Sequence, residues 1–150
     1  MGERAIFTAS SQVRMYDTDA AGILYFASQF RFAHDAIEGF MSELGVSFQT
    51  LSKEKKFTFV VVHAEADYFF PLVVGDVLDV QLIVESIGTT SFTLFSQIFK
   101  KNQTLVGTVK TVHVTLDKES KKKIPIPQEL RKSIEKYISK ARKEKFNENF

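Results

Sequence analysis

The chain has 150 residues, 20 Lys+Arg against 18 Asp+Glu for a formal net charge of +2, and no cysteine. Its length suits one domain with a real core, and 44% hydrophobic with 25% charged residues is the composition of an ordinary globular protein. The missing cysteines exclude disulfides, thiolate nucleophiles and thiolate metal sites, and the apolar runs fall far short of the ~18 residues of a membrane span.

The start, "MGERAIF", shows no apolar signal core, so a cytoplasmic protein is expected. The charge is uneven. Lys118 to Lys145 holds 11 basic and 4 acidic side chains, which leaves the rest of the chain acidic. Such a tail can attract a polyanion or simply form a solvated helix face. Only Tyr137 and Phe146 lie among its lysines, too few for a base-stacking platform, so no nucleic-acid partner is expected.

In chain order, Arg4 to Tyr16 reads as a strand. From Gly22 to Leu44 the pattern turns helical, with Phe30, Ala33, Ile37, Met41 and Leu44 on one stripe and Gly45 as the terminator. "VSFQTLSKEKK" is a polar connector with room for a helical turn. "FTFVVVHAEADYFFP" is a long strand closed by Pro71. One face is expected to carry Val60, Val62, Ala64 and Ala66, the other Val61, His63, Glu65 and Asp67. "GDVLDVQLIVESIG", "TTSFTLFSQIFKKN" and "QTLVGTVKTVHVTLD" alternate as further strands, and turns as short as "KKNQ" favour antiparallel pairing. After "KKKIPIP" an amphipathic basic helix is expected from about Gln128 to Lys145. The layout β-α-β-β-β-β-α, with no repeat or linker, implies one α+β domain over residues 1–150. An antiparallel sheet wraps one long central helix, and a C-terminal helix is added.

Several chemistries drop out. There is no G-x-S-x-G elbow, no Walker loop and no dinucleotide-binding glycine fingerprint. His34 and Glu38 stand at i, i+4, and His63, Glu65 and Asp67 share a strand face, but neither set has the ligand count of a metal site. His113 reads as a hydrogen-bonded core histidine. What remains is "YDTDAAG", two aspartates and a glycine where strand meets helix. Asp17, Thr18 or Asp19 can cap the helix, and Gly22 can relax a tight turn. Capping accounts for one carboxylate, not two. A helix N-terminus also offers free N–H groups to a developing oxyanion, and a carboxylate beside it can attack a carbonyl or activate water. Acyl transfer from a thioester, whose thiolate leaves without strong acid help, suits such a pair.

At this junction "YDTDAAGILYF" resembles the D-x-D-x-x-G-[IV]-[VL]-[YW] signature of the 4-hydroxybenzoyl-CoA thioesterase family of hotdog-fold enzymes. The resemblance runs on through "FRFAHDAIEGFMSELG", "VVVHAEADYFFPLVVGDVLDV" and "TTSFTLFSQIF", from about Gln12 to Leu116. "DTDAAG" with "AHDAIE" looks most like the branch that hydrolyses 1,4-dihydroxy-2-naphthoyl-CoA in quinone biosynthesis. The resemblance implies an acyl-CoA thioester hydrolase acting on an aromatic acyl-CoA, such as 1,4-dihydroxy-2-naphthoyl-CoA or 4-hydroxybenzoyl-CoA. CoA is then part of the substrate, and no separate cofactor or metal is implied.

Asp19 would be the catalytic carboxylate, as nucleophile or as general base. The Phe26 backbone N–H would polarise the thioester carbonyl. Asp17 and Gly22 would shape the loop, and Tyr25 and His34 would face the acyl group. Val60 and His63 would reach the site from a neighbouring subunit of a homodimer or homotetramer. Some relatives hold the CoA phosphates with an arginine-rich turn, whereas "SIGTTSF" has no basic residue. Lys53, Lys55 and Lys56, or the basic tail, are the substitutes at hand. A hotdog dehydratase or isomerase would need a histidine that "DYFFPLVVGD" lacks. A thioesterase for short or medium aliphatic acyl-CoA and a non-catalytic acyl-CoA-binding dimer are the alternatives.

Overall fold

The computed structural model describes residues 5–138. Strand β1 (Phe7–Gln12) leads through two 3-10 turns, Met15–Asp17 and Phe26–Ser28, into α1 (Gln29–Glu43) and the short α2 (Phe48–Lys53). Then come β2 (Phe57–Tyr68), β3 (Val77–Ile87), β4 (Ser91–Lys100), β5 (Leu105–Asp117) and α3 (Gln128–Glu135). The strands form one sheet in the order β1-β3-β4-β5-β2, and every neighbouring pair is antiparallel. This is the α+β arrangement expected of the alternating strand patterns and the single long helical stripe.

α1 lies across the sheet because both present apolar faces that only the other can cover. Phe32, Ala33, Ala36, Ile37, Phe40 and Met41 are buried against Leu78, Val80, Leu82 and Val84 of β3 and Phe92, Leu94 and Ile98 of β4. Fully burying a side chain of this size contributes about 1.5–3 kcal/mol. Phe30 and Leu44, expected on the buried stripe, are only half-buried and mark its edges. Helix and sheet approach closely at Gly39, where an added Cβ would stand 3.0 Å from the ring of Phe7 on β1.

Four expectations need correction. The first strand, expected to reach Tyr16, ends at Gln12, and Met15–Asp17 is a 3-10 turn. α1 starts at Gln29 rather than near Gly22, because the donors of residues 22–25 go elsewhere. Leu24 N–H donates to the Leu72 carbonyl and Tyr25 N–H to the Asp17 carbonyl, both at 2.8 Å, while Gly22 sits at φ +79°. Asp17, Thr18 and Asp19 therefore do not cap α1. On β2 the expected faces hold only in part. The pairing with β5 slips between Val61 and His63, and this bulge reverses the alternation. Val61, not Val60 or Val62, thus shares with Ala64 the side facing α1. Finally, α3 ends at Glu135 instead of running to Lys145. Val84 N–H bonds the Tyr137 carbonyl at 3.0 Å, and Ile138 bridges Val84 as a parallel strand residue. The remainder of the expected helix lies outside the described residues.

α3 is part of the core and not a loose basic tail. Leu130 and Ile134 are buried, and the Tyr137 ring meets Phe40 edge-on at 4.8 Å. Its hydroxyl donates to Glu43 at 2.5 Å, and that bond, with burial, raises the phenol pKa to about 12.

Candidate active site

The Asp-Thr-Asp segment folds as two linked turns held by long-range bonds. Asp17 closes the first. Its carboxylate accepts the Arg14 N–H at 2.8 Å and is met side-on by Arg31 of α1, with Nε at 2.8 Å and Nη2 at 2.6 Å. Burial alone would raise the Asp17 pKa. The Arg31 hydrogen bonds, the Arg14 N–H and the guanidinium charge outweigh it and hold the carboxyl below its ordinary value. In return, the Asp17 hydrogen bonds raise the Arg31 pKa against the opposing effect of burial. Asp17 is 1% exposed, so its role in the fold is to tie the loop to the first turn of α1. Arg31 also pairs with Asp35 at 2.9 Å and lies over the rings of Phe32 and Tyr16.

Asp19 is the opposite case: exposed, and not engaged by Arg31. Its carboxylate accepts the Ala21 N–H at 2.9 Å, and its carbonyl accepts Gly22 N–H at 2.9 Å. Asp19 N–H in turn donates to the Ile23 carbonyl at 3.1 Å. The left-handed φ of +79° at Gly22 is what lets the chain reverse here, and an added Cβ would meet nothing within 4 Å. One carboxylate is thus buried and paired, and the other is presented to solvent on a rigid turn.

The reversed chain enters the 3-10 turn Phe26–Ser28, which runs directly into α1. The turn's own bonds begin with Ser28 N–H to Tyr25 and Gln29 N–H to Phe26, so the Phe26 N–H takes no part in them. The Phe26 carbonyl accepts the Tyr68 hydroxyl at 2.7 Å. Gln29, 2% exposed, then locks the helix start onto two strands. Its Nε2 donates to the Asp67 carbonyl at 2.9 Å and to the Thr108 carbonyl at 3.1 Å. The N-terminal end of a helix carries partial positive charge, so this end of α1 favours an anion.

A cavity of about 500 Å³ opens between α1 and the sheet, and Arg31, which holds Asp17, is one of its lining residues. Phe30, Ala33, His34 and Ile37 form its helix side, and Val61, Ala64 and Thr111 its strand side. His34 bonds Glu38 at 3.1 Å and stacks on Phe48 at 5.7 Å. Of the residues singled out in the sequence, Asp17, Asp19, Gly22, Tyr25 and Phe26 come together in one segment, and His34 lines the cavity. Tyr25 is exposed against the Phe26 ring at 4.9 Å and is not a core aromatic. Val60 and His63 lie outside the cavity, exposed on β2, where His63 bonds Glu65 at 2.8 Å. β2 is one of the sheet's two edge strands, β1 being the other, and Val60, Val61 and Val62 are all exposed there.

Sequence reasoning missed Arg31, Gln29 and Tyr68. Only Arg31 carried a signal, its i, i+4 spacing from Asp35. The partners of the other two are backbone carbonyls far along the chain.

Residues 13–134 match the thioesterase-like superfamily. A 1,4-dihydroxy-2-naphthoyl-CoA hydrolase of Prochlorococcus marinus (strain NATL1A) is 34% identical over 125 residues, 79% of this chain and 83% of that protein. The enzyme of that name from Rippkaea orientalis is 30% identical over 120 residues, 79% of this chain and 87% of its own. Among solved structures, Slr0204, a 1,4-dihydroxy-2-naphthoyl-CoA thioesterase from Synechocystis, superposes with a TM-score of 0.80 at 31% identity. It covers 87% of this chain and 96% of its own.

Proposed function

The chain belongs to the thioesterase-like superfamily, and on that footing we propose that it is an acyl-CoA thioesterase with a preference for aromatic acyl groups. Relatives named 1,4-dihydroxy-2-naphthoyl-CoA hydrolase support the aromatic substrate class, and a cavity lined mainly by apolar side chains suits an apolar acyl group. The products are the free acid and CoA.

The observation that carries the reading is the division between the two aspartates. Asp17 is neutralised by Arg31 and structural, which leaves the exposed Asp19 carboxylate for chemistry. In this reading Asp19 attacks the thioester carbonyl or removes a proton from the attacking water. The Phe26 N–H, preceding α1, donates a hydrogen bond to the carbonyl oxygen as charge builds there, and the CoA thiolate leaves. After direct attack, water then hydrolyses the acyl-aspartyl anhydride to the free acid and restores Asp19. Gly22 keeps the turn compact beneath Asp19. Tyr25 and His34 border the acyl group.

A second copy of the chain completes the assembly. The edge of β2, with its unpaired backbone groups and Val60 to Val62 exposed, suits pairing with the same strand of a partner, which would bring Val60 and His63 toward the partner's site. Lys53, Lys55 and Lys56 stand near Lys118, whose N–H donates to the Lys56 carbonyl at 2.9 Å. This group of lysines is a basic surface available to the CoA phosphates.

Thiol release from a panel of acyl-CoAs tests the proposal. Hydroxynaphthoyl- and hydroxybenzoyl-CoA are expected to be cleaved at least tenfold more efficiently than hexanoyl- or palmitoyl-CoA. A preference for the aliphatic esters would overturn the substrate class. No cleavage of any thioester would favour a binding module.

A further inference from the structure

The cavity wall holds a polar pair that the catalytic segment does not use. Thr111 lines the cavity from β5, directly opposite Ala64 of β2 in the strand pairing. Its Oγ1 lies 2.8 Å from Nε2 of His113, and both side chains are buried, with exposures of 8% and 3%. His113 is fixed from another side by stacking on Phe92, at 5.2 Å and 5° between planes. Burial, and to a lesser degree the charge of His34, pushes its pKa down to about 4. The imidazole is therefore neutral at physiological pH, and its bond with Thr111 joins two uncharged groups.

The other polar lining residues are already occupied. Arg31 is held by Asp17 and Asp35, and His34 by Glu38 and Phe48. Phe30, Ala33, Ile37, Val61 and Ala64 offer no hydrogen bond from their side chains. The Thr111 hydroxyl, oriented by its one bond to His113, is the uncharged polar group on the strand side of this wall. With Nε2 bare, Thr111 donates to it and presents lone pairs to the cavity. With Nε2 protonated, Thr111 accepts and points its own hydrogen outward. Either way, a ring hydroxyl can pair with the capacity that the His113 bond leaves over, as donor or acceptor, whereas a bare ring or an alkyl chain would cover it without a partner. Covering that remaining capacity with an apolar group forfeits the hydrogen bond it would otherwise make to water or to a ring hydroxyl.

We propose that Thr111, held in position by His113, is the specificity-determining contact that selects hydroxyl-bearing aromatic acyl groups over unsubstituted aryl and alkyl ones. This rests on the thioesterase reading for its substrates, but not for its binding test. Thr111→Val keeps the shape and removes the hydroxyl. Thr111→Ser restores the hydroxyl. His113→Phe keeps a ring against Phe92 and removes the positioning bond.

Two measurements are needed, each on the full chain. The first is the affinity for 1-hydroxy-2-naphthoate and 2-naphthoate by titration calorimetry. The second is kcat/KM for 4-hydroxybenzoyl-CoA and benzoyl-CoA. The wild type is expected to favour the hydroxylated member by about tenfold or more in each pair. Thr111→Val should abolish the preference by weakening the hydroxylated ligand alone, and Thr111→Ser should keep it. His113→Phe should reduce the ratio, an effect that general loss of structure, which lowers both members equally, would not produce. If the wild type binds both acids equally, or Thr111→Val leaves the ratio intact, the proposal is overturned. If no thioester is cleaved while the acids are still discriminated through Thr111, the contact stands and the hydrolase reading fails instead.

Discussion

Replacing Asp17 by asparagine perturbs stability through one identifiable set of bonds. The carboxylate accepts three charge-assisted hydrogen bonds, at 2.8 Å from Arg14 N–H and at 2.8 and 2.6 Å from Arg31. Bonds of that kind are each worth about 1.5–3 kcal/mol. Asn retains one acceptor oxygen, and the Arg31 side chain is 34% exposed, so water recovers part of the loss. The net cost is then about 2–3 kcal/mol, below the ~3–5 kcal/mol of a fully buried pair. For a domain of this size that lowers Tm by about 5–10 °C.

The pH dependence carries the sharper test. The folded pKa of Asp17 lies below its ordinary 3.8, so its stabilisation is complete above that ordinary value and is lost as pH falls through the folded one. Urea unfolding of wild type and Asp17→Asn at pH 7, 5 and 3 is expected to show the full gap at pH 7 and 5 and a smaller one at pH 3. A gap under ~0.5 kcal/mol at pH 7, or one that widens in acid, would refute the assignment of Asp17 as a paired, structural carboxylate.

Other perturbations follow from the same geometry. An added Cβ at Gly107 would lie 2.6 and 2.7 Å from the Gln29 amide and 2.8 Å from the Asp67 carbonyl, so Gly107→Ala should cost about 1–3 kcal/mol by denaturant titration. Gln29→Ala in the same chain should recover only part of that, because the backbone carbonyl remains. Gly22→Ala meets open space but a left-handed backbone, with φ +79°, and should cost about 1 kcal/mol in the same assay while disturbing the Asp19 turn. On the proposed pairing of β2 with a second copy, Val62→Lys places a charge at the exposed bulge of that edge strand and should shift the chain toward monomer in light scattering, with little change in Tm.

Element types were legible because each rests on local pattern. The alternation of β3 through β5, the short "KKNQ" turn and the apolar stripe of α1 all describe elements the structure contains. Boundaries set by distant partners were not legible. The start of α1 depends on the Leu72 carbonyl accepting from Leu24, some fifty residues earlier in the chain. The faces of β2 depend on a bulge whose counterpart lies on β5. The end of α3 depends on Val84. The same holds for the site. Asp17, Asp19, Gly22 and Phe26 were visible as a motif because they are contiguous. The contrast between a buried Asp17 and an open Asp19 needed Arg31, fourteen residues from Asp17, to be seen in place.

The central claim is that Asp19, not Asp17, is the reacting carboxylate. The most direct test compares wild type with Asp19→Asn for CoA release from 4-hydroxybenzoyl-CoA, with thermal melting of both. The Asp19 side chain is exposed and, among the described residues, its carboxylate accepts only the local Ala21 N–H, so the variant should melt within a few degrees of wild type. Its kcat is expected to fall by more than ~100-fold, with KM changed far less. A variant that keeps wild-type turnover would contradict the account.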